Sequence, residues 1–235
     1  MSRAVFYVRH GQSCANIHST TVAGHFDTMN KFRDATLTPA GREQARLVGK
    51  FVKNVIPESM QPTVFVASVL TRAIETALIA AHDMPESFRV VVTPRVRELL
   101  GGAAQKPREL KDLQAYLKRW YANDYARIDW RFVTDESMHA VIEQSSASKS
   151  LDVLNIGRRK WDECMRFLQR KDPIIMVFSH GRFLENLLDK GPFSNTSPPS
   201  FHNTAVWYDE KFIYQPLITT ANAADFKECE DQRDE

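Results

Sequence analysis

The chain has 235 residues, of which 43% are hydrophobic and 26% charged, a composition typical of an ordinary globular protein and not of a disordered or fibrous one. Lysine and arginine number 31 against 29 acidic residues, so the formal net charge of +2 lacks the basic excess of a protein that binds nucleic acid or an anionic membrane. The three cysteines show neither the pattern of a disulfide framework nor zinc-site spacing, and a reducing compartment fits them best.

The N-terminal part of the chain predicts a buried strand followed by a helix. The apolar run Ala4–Val8 is too short for a signal-peptide core or a membrane span, so we expect a soluble, cytoplasmic protein. Thr38 is placed to cap a helix whose first residue is Pro39. Its apolar face is predicted to contain Ala45, Val48, Val52 and Val55.

The same order of strand and helix repeats once more, and a further strand follows. Thr63–Ala67 predicts a second buried strand. Thr71–Ala81 predicts a helix rich in alanine, which can pack closely against a sheet. Arg89–Thr93 is rich in valine and predicts another strand.

Residues 103–171 have a different character. No strand is predicted there, but apolar residues recur at helical spacing, and we expect a helical insertion. The residues that carry this pattern are Leu110, Leu113, Leu117, Trp120, Leu151, Leu154, Trp161, Met165 and Leu168.

The C-terminal part returns to the order of strand and helix. Ile174–Phe178 predicts a buried strand and Gly181–Lys190 a helix. Ala205–Tyr208 and Phe212–Tyr214 resemble an edge hairpin, and the acidic tail 225–235 is expected to be frayed. Strands that alternate with helices predict an α/β fold, with three layers and a largely parallel sheet flanked by helices.

Polar residues directly follow three of the predicted strands. The first strand leads into Arg9-His10-Gly11, the second into Ser68 and then Arg72, and the last into Ser179-His180-Gly181. Ligands of open α/β sheets bind at the carboxyl ends of the strands, so we expect these groups to share one pocket. Two imidazoles and two guanidiniums would make that pocket cationic and suited to phosphate.

Four segments of the sequence, YVRHGQSCAN, LTPAGREQA, SVLTRAIETA and FSHG, occur in the order found in a known family. They resemble the histidine phosphatase superfamily, branch 1, which includes the cofactor-dependent phosphoglycerate mutases. The resemblance implies a phosphoglycerate mutase-like fold, and we expect residues 1–235 to form one such domain. No cofactor is implied, and the remaining histidines show no ligand spacing, so we expect no metal.

The resemblance also implies the roles of individual residues. His10 would be the nucleophile that becomes phosphohistidine, and Arg9, Arg72 and His180 would hold the phosphate oxygens. Asn16 would help line the same pocket, although an asparagine there also suits a turn. Nearby guanidiniums would keep the imidazole of His10 neutral and stabilise the charge on the transferred phosphoryl group.

A general acid must protonate the leaving group of such a reaction and then activate water. Glu98 lies just after a predicted strand, where the family places its acid, and is our first candidate. Asp34 is the alternative, and Glu98 could instead be a solvated charge.

Three functions stay open at this stage: a phosphatase, a phosphoglycerate mutase-type phosphotransferase, and a non-catalytic relative that only binds phosphate. Mutases of the family carry an extended basic and aromatic segment after the acid, and the segment LLGGAAQKP at this position lacks it, which favours hydrolysis. The expected partner is a small-molecule or protein phosphomonoester, with no nucleic acid or membrane. The candidates for substrate selection in the loop 17–36 are Lys31, Arg33 and His25, and changing Lys31 and Arg33 together to Ala would then alter the ranking of substrates.

Two cysteines suggest alternative chemistry. Cys164 and Arg170 have the C-x5-R spacing of cysteine-dependent phosphatases, but the segment lacks glycine and follows a helical pattern, so we expect it to pack in a core. Cys14 lies beside the predicted nucleophile loop, where it could confer sensitivity to oxidants, though simple packing is the favoured interpretation.

Overall fold

A computed structural model of the chain describes residues 4–17, 32–98, 103–138, 162, 165–166, 174–187, 204, 206–208, 211–214 and 228–229. Its strands are β1 (Ala4–Arg9), β2 (Val64–Ser68), β3 (Arg89–Thr93), β4 (Ile128–Asp129), β5 (Ile174–Ser179), β6 (Val206–Tyr208) and β7 (Lys211–Tyr214). Its helices are α1 (Cys14–Ile17), α2 (Pro39–Asn54), α3 (Thr71–Ala81), α4 (Leu110–Trp120) and α5 (Gly181–Leu187).

The strands form one seven-stranded sheet in the order β4-β3-β2-β5-β1-β6-β7. The five strands from β4 to β1 are parallel, and β6 and β7 add an antiparallel hairpin. The predicted α/β fold with a largely parallel sheet flanked by helices is therefore confirmed. Because β1 and β5 are neighbours with Arg9 opposite Ser179, the residues that follow both strands meet at one edge of the sheet.

Helices cover both faces of this sheet and divide the core in two. One face packs against α2, α3 and α4, and its buried residues include Phe6, Val48, Phe65, Ile74, Leu113 and Phe178. The other face packs against α5, and its buried residues include Val66, Val177 and Leu184. Each fully buried side chain of this size contributes about 1.5–3 kcal/mol by leaving water, so these two layers hold the strand ends in place.

Helix α2 begins where the sequence predicts. The Thr38 hydroxyl accepts a hydrogen bond from the Gly41 backbone N–H at 3.0 Å, which satisfies one of the unpaired donors of the first turn. The helix ends at Asn54, so Val55 lies beyond it and is 63% exposed. The prediction that Val55 belongs to the apolar face is wrong, because the helical spacing of the sequence continues past the end of the helix.

The expected insertion at 103–171 is partly described. Helix α4 agrees with the helical pattern, and its Leu113 and Leu117 are buried. The prediction that the region holds no strand is wrong, because Ile128 and Asp129 form β4 beside β3. Two residues are too few to produce a periodic pattern. The Cys164–Arg170 segment lies largely outside the described residues, as do Ser145–Ser150 and most of 139–171.

The C-terminal tail is joined covalently to the N-terminal part of the chain. Cys14 and Cys229 form a disulfide across 215 residues of sequence, and both are fully buried. Beside it the Arg42 guanidinium donates two hydrogen bonds to the Glu228 carboxylate at 2.7 and 2.8 Å. The expectation of no disulfide and the expectation of a frayed tail at 228–229 are therefore wrong, whereas the packing interpretation of Cys14 is confirmed, because Cys14 lies in a buried cluster with Ile17 and Phe32. Spacing along the chain does not reveal which distant cysteines become neighbours.

Within the part of the chain described, no helix combines the length and apolar character needed to cross a membrane.

Candidate active site

The loop after β1 lies tightly against the start of α2. The Gln12 backbone N–H donates to the Gln44 side-chain oxygen at 2.8 Å, and the Gln12 carbonyl accepts from the Thr38 N–H at 3.0 Å. A Cβ atom at Gly11 would lie 2.6 Å from the Gly41 carbonyl oxygen, and one at Gly41 would overlap the Gln12 carbonyl. Two glycines therefore allow this loop and helix to approach closely enough to fix the residues around His10.

The imidazole of His10 is held in one orientation by its own loop. Nδ1 lies 2.7 Å from the Gly11 carbonyl oxygen, which can only accept, so Nδ1 carries the proton. Nε2 is then the nitrogen with the lone pair, and it accepts a hydrogen bond from Arg72 Nε at 3.1 Å. Burial lowers the pKa of His10 well below 6.5, and the charges of Arg72 and Arg9 lower it further. A neutral imidazole in this setting is a nucleophile.

The second imidazole, His180, lies against the first. The two ring centroids are 5.1 Å apart. His180 Nε2 is 2.8 Å from the Ser68 hydroxyl oxygen, and its Nδ1 is 3.3 Å from Arg72 Nη2. Since Arg72 can only donate, Nδ1 accepts and Nε2 carries the proton. Burial lowers the pKa of His180 well below 6.5, with added effects of Arg72, His10, Arg9 and Arg97.

Arg72, in the first turn of α3, is the cation shared by both histidines. Its Nη1 donates to the Ala104 carbonyl at 2.8 Å and its Nη2 to the Gln105 side-chain oxygen at 2.6 Å. The residue is 3% exposed, and burial lowers the pKa of its guanidinium to about 10. The charges of Asp34 and Glu98 oppose that shift, so both carboxyl groups lie within electrostatic reach of Arg72.

Arg9 completes the set of cations. It ends β1, and its charge lowers the pKa of both His10 and His180. Its guanidinium lies beside Gly181, where a Cβ atom would be 3.6 Å from Arg9 Nε. The structure thus brings His10, His180, Arg9 and Arg72 together from three strand ends. Their assigned roles stay a prediction.

The two candidate acids have different surroundings. Glu98 is 9% exposed, and its charge acts on the pKa of Arg72, as the charge of Asp34 also does. Asp34 is fully buried, and its carboxylate accepts hydrogen bonds from the Thr71 N–H, the Thr71 hydroxyl and the Arg108 N–H. Because both oxygens of the Asp34 carboxylate already accept hydrogen bonds from the protein, Asp34 fits a structural role better than the role of a general acid. Glu98 therefore stays our candidate acid.

Asn16 is the third of the four residues of α1. Its side-chain oxygen accepts from the Ser13 N–H at 2.9 Å and from the Ser13 hydroxyl at 3.0 Å. This local arrangement fits the turn-forming interpretation, and a place for Asn16 in the phosphate pocket stays a prediction.

Two residues near the histidines were not identified from the sequence. Gln105 contacts Arg72, but a glutamine in a polar segment gives no signal by itself. Arg97 is buried, donates to the Met138 carbonyl at 3.0 Å and contributes to the lowered pKa of His180. Its position directly before Glu98 could have singled it out. Arg33 instead donates to the Pro107 carbonyl at 3.1 Å, and Lys31 lies outside the described residues.

Among the described residues, no group of three or more His, Cys, Asp or Glu side chains is arranged to hold a metal ion.

Comparisons with known proteins agree with this geometry. The profile of the histidine phosphatase superfamily (branch 1) matches residues 5–206. The ecdysone phosphate phosphatase of Bombyx mori, solved with tungstate, superposes with a TM-score of 0.59 at 15% identity, over 94% of this chain and 96% of that one. A mycobacterial glucosyl-3-phosphoglycerate phosphatase superposes with a TM-score of 0.51 at 22% identity, over 88% and 90%.

At these identities the two structures show a shared fold. No curated protein matches the sequence. The family profile covers most of the chain, and the strands that it spans carry the paired histidines described above. The chain belongs to the histidine phosphatase superfamily, branch 1.

Proposed function

We propose that the protein is a phosphomonoesterase that hydrolyses phosphate esters through a phosphohistidine intermediate on His10. The observation that carries this proposal is the state of His10 Nε2. The Nδ1 contact to the Gly11 carbonyl leaves the lone pair on Nε2, where it accepts a hydrogen bond from Arg72 and lies close to the ring of His180. Such an arrangement fits nucleophilic attack on a bound phosphoryl group.

In the first step, His10 Nε2 attacks phosphorus, the P–N bond forms and the P–O bond to the leaving group breaks. Arg72 now donates to Nε2, and this N–H would turn to a phosphoryl oxygen as the P–N bond forms. Arg9 and His180 would hold the other oxygens. Fixed donors of this kind stabilise the charge of the transition state without reorganising, which is where most of the rate acceleration arises.

Glu98 would protonate the leaving alkoxide and then take a proton from water, which attacks phosphorus and restores His10. Its burial and its electrostatic effect on Arg72 support this role. General acid-base catalysis of this kind contributes about 10²–10⁴-fold.

The substrate is proposed to be a small-molecule phosphomonoester. The ecdysone phosphate phosphatase and the glucosyl-3-phosphoglycerate phosphatase, whose fold the chain shares, are named for substrates of that class.

Location in the cytoplasm stays a prediction. A disulfide such as Cys14–Cys229 is more usual in oxidising compartments, so fractionation combined with thiol labelling would decide it.

Trapping the intermediate tests the mechanism. Purified protein is mixed briefly with radiolabelled p-nitrophenyl phosphate or sugar phosphates and quenched, and we expect label that survives alkali but is lost in acid. His10→Ala should carry no label and lose on the order of 10³-fold or more in kcat. His82→Ala is the matched control, because His82 is a largely exposed histidine paired with Asp124.

The outcomes separate the alternatives. Turnover of a panel of phosphomonoesters with label on His10 supports the proposal. Binding without turnover would indicate a non-catalytic relative, and transfer of label to phosphoglycerate in place of water would indicate a mutase.

A further inference from the structure

The Asp34 carboxylate caps the helix that carries Arg72. The residue preceding α3, Leu70, has no side chain that can cap it. Asp34 takes that place from 37 residues earlier in the chain, with the Thr71 N–H at 2.8 Å from Oδ1 and the Thr71 hydroxyl at 2.8 Å from Oδ2. A carboxylate at this end of a helix also interacts favourably with the helix dipole. Thr71 is the direct neighbour of Arg72, so this cap fixes the backbone from which the guanidinium projects.

The same carboxylate also holds the segment on the other side of Arg72. Oδ2 accepts a hydrogen bond from the Arg108 N–H at 3.0 Å. This segment carries Ala104 and Gln105, whose oxygens accept from the Arg72 guanidinium. One buried side chain therefore joins the backbone that carries Arg72 to the segment that contacts its guanidinium.

We infer that Asp34 is a positioning residue for phosphate binding, which acts by fixing Arg72 between the first turn of α3 and residues 104–108. This inference rests on the proposed function, because it assumes that Arg72 holds the phosphoryl oxygens. Asp34 does not touch the substrate in this scheme. This positioning role takes the place of the alternative that the sequence left open, in which Asp34 is the general acid.

The backbone of Asp34 supports the inference. Its φ of 47° lies in the left-handed region, which a residue with a side chain adopts at a cost of about 1–2 kcal/mol. This unfavourable conformation occurs at the residue whose carboxylate contacts Thr71 and Arg108. The negative charge also raises the pKa of Arg72 and Arg97 against the effect of burial, and so helps to keep both guanidiniums charged.

Two explanations of Asp34 make opposite predictions for anion affinity. Asp34→Asn removes a negative charge near a site for anions, so electrostatics alone predicts tighter binding. Positioning predicts weaker binding, because the new amide N–H faces the Arg108 N–H and the link to residues 104–108 is lost. A merely structural effect would lower the fraction of active protein and leave the affinity of the folded fraction unchanged.

The probe is tungstate, a phosphate-like dianion, whose dissociation constant is measured by calorimetry on folded protein. We expect Asp34→Asn to raise this constant about 10–100-fold, which corresponds to about 1.4–2.7 kcal/mol. Thr71→Val, which removes only the hydroxyl contact to Asp34, should raise it about 2–10-fold. Asp124→Asn is the matched control, because Asp124 is a buried aspartate bound to His82 at the opposite end of α3, and it should leave the constant unchanged.

Unchanged or tighter tungstate binding by Asp34→Asn would overturn the inference. If that variant does not fold, unchanged binding by Thr71→Val would overturn it instead. Failure of the proposed function is a separate result: wild-type protein would then turn over no phosphomonoester, while the tungstate series would still report on the positioning of Arg72. With phosphomonoester substrates, a rise in KM together with a fall in kcat for Asp34→Asn would support the inference.

Discussion

At the scale of single residues, some N–H groups of the Arg72 guanidinium donate hydrogen bonds to other groups of the protein. The Gln105 side chain accepts from Nη2 at 2.6 Å, on the guanidinium that the proposed mechanism directs at phosphate. A phosphoryl oxygen and Gln105 would therefore compete for the same N–H group. We therefore expect Gln105 to influence how tightly the proposed pocket holds phosphate.

Gln105→Ala removes the competitor, so we expect inorganic phosphate to inhibit the variant about 2–10-fold more strongly, the range that one hydrogen bond supports. Inhibition constants measured against a chromogenic ester check this. Gln61→Ala is the control, since the Gln61 side chain donates to the backbone carbonyls of Lys53 and Ile56. Weaker inhibition by phosphate would show that Gln105 assists binding.

Glu98 can be tested by the chemistry of the leaving group. With an alkyl phosphate, whose alkoxide must be protonated, Glu98→Gln should lower kcat about 10²–10⁴-fold. With p-nitrophenyl phosphate the loss should be much smaller, because nitrophenolate leaves without a proton. Comparison of the two esters is the measurement, with the exposed Glu43→Gln as control. Equal losses on both esters would remove Glu98 from the role of acid.

At the scale of elements, a second buried carboxyl group joins α3 to its neighbours. Glu75 accepts from the Leu37 N–H at 2.7 Å and from the hydroxyls of Tyr116 and Tyr121 at 2.8 and 3.0 Å. These bonds connect α3 to the segment before α2 and to α4. Burial nevertheless raises the pKa of Glu75 to about 7, because three donors only partly replace the water that the carboxylate loses.

This raised pKa makes stability depend on pH. Between about 4.5 and 7 the unfolded chain releases the Glu75 proton while the folded protein retains it, so the free energy of unfolding falls as pH rises through this window. At about 1.4 kcal/mol per pH unit the loss approaches about 3 kcal/mol. Glu75→Gln should abolish this part of the pH dependence.

The measurement is urea unfolding of both proteins at pH 5 and pH 8. The lowered pKa values of His10 and His180 act in the opposite direction below about 6.5, but they affect both proteins equally and cancel in the difference. A difference between wild type and variant that does not change with pH would contradict the prediction.

The elements show which features a sequence can reveal. Helix α2 was predicted with its cap because the Thr38-Pro39 signal is local, and β1, β2, β3 and β5 were predicted because their apolar runs are continuous. The strand β4 was missed because its two residues derive their structure from pairing with β3. The burial of Glu75 was missed for a similar reason, since its partners come from two other parts of the chain.

At the scale of the whole molecule, the sequence predicts the position of the two histidines but not the segments that hold the site in place. The meeting of His10 and His180 could be predicted, because parallel strands place their carboxyl ends at one edge of a sheet. The contacts that hold the Arg72 guanidinium and the Cys14–Cys229 bond could not be predicted, because both depend on the paths of irregular segments. Physical rules for regular structure thus predict the edge of the sheet that carries the two histidines better than the segments that enclose it.

The disulfide gives a prediction for the whole chain. It closes a loop of 215 residues, and such a cross-link restricts the unfolded state most when the loop is long. Cys229→Ser should lower the free energy of unfolding by about 2–4 kcal/mol. Treatment of the wild type with a reductant should give the same loss in urea unfolding. The reductant should not change Cys229→Ser further, and a variant as stable as the oxidised wild type would contradict the prediction.

The position of β1 in the sheet bears on how the protein matures. The first strand of the chain lies between β5 and β6, which are synthesised after β2, β3 and β4. While the chain emerges from the ribosome, its N-terminal strand must wait for partners some 170 residues later in sequence. Assembly dominated by such distant pairings is slow. Phosphatase activity during refolding would then appear together with completion of the sheet, which makes activity a late reporter of folding.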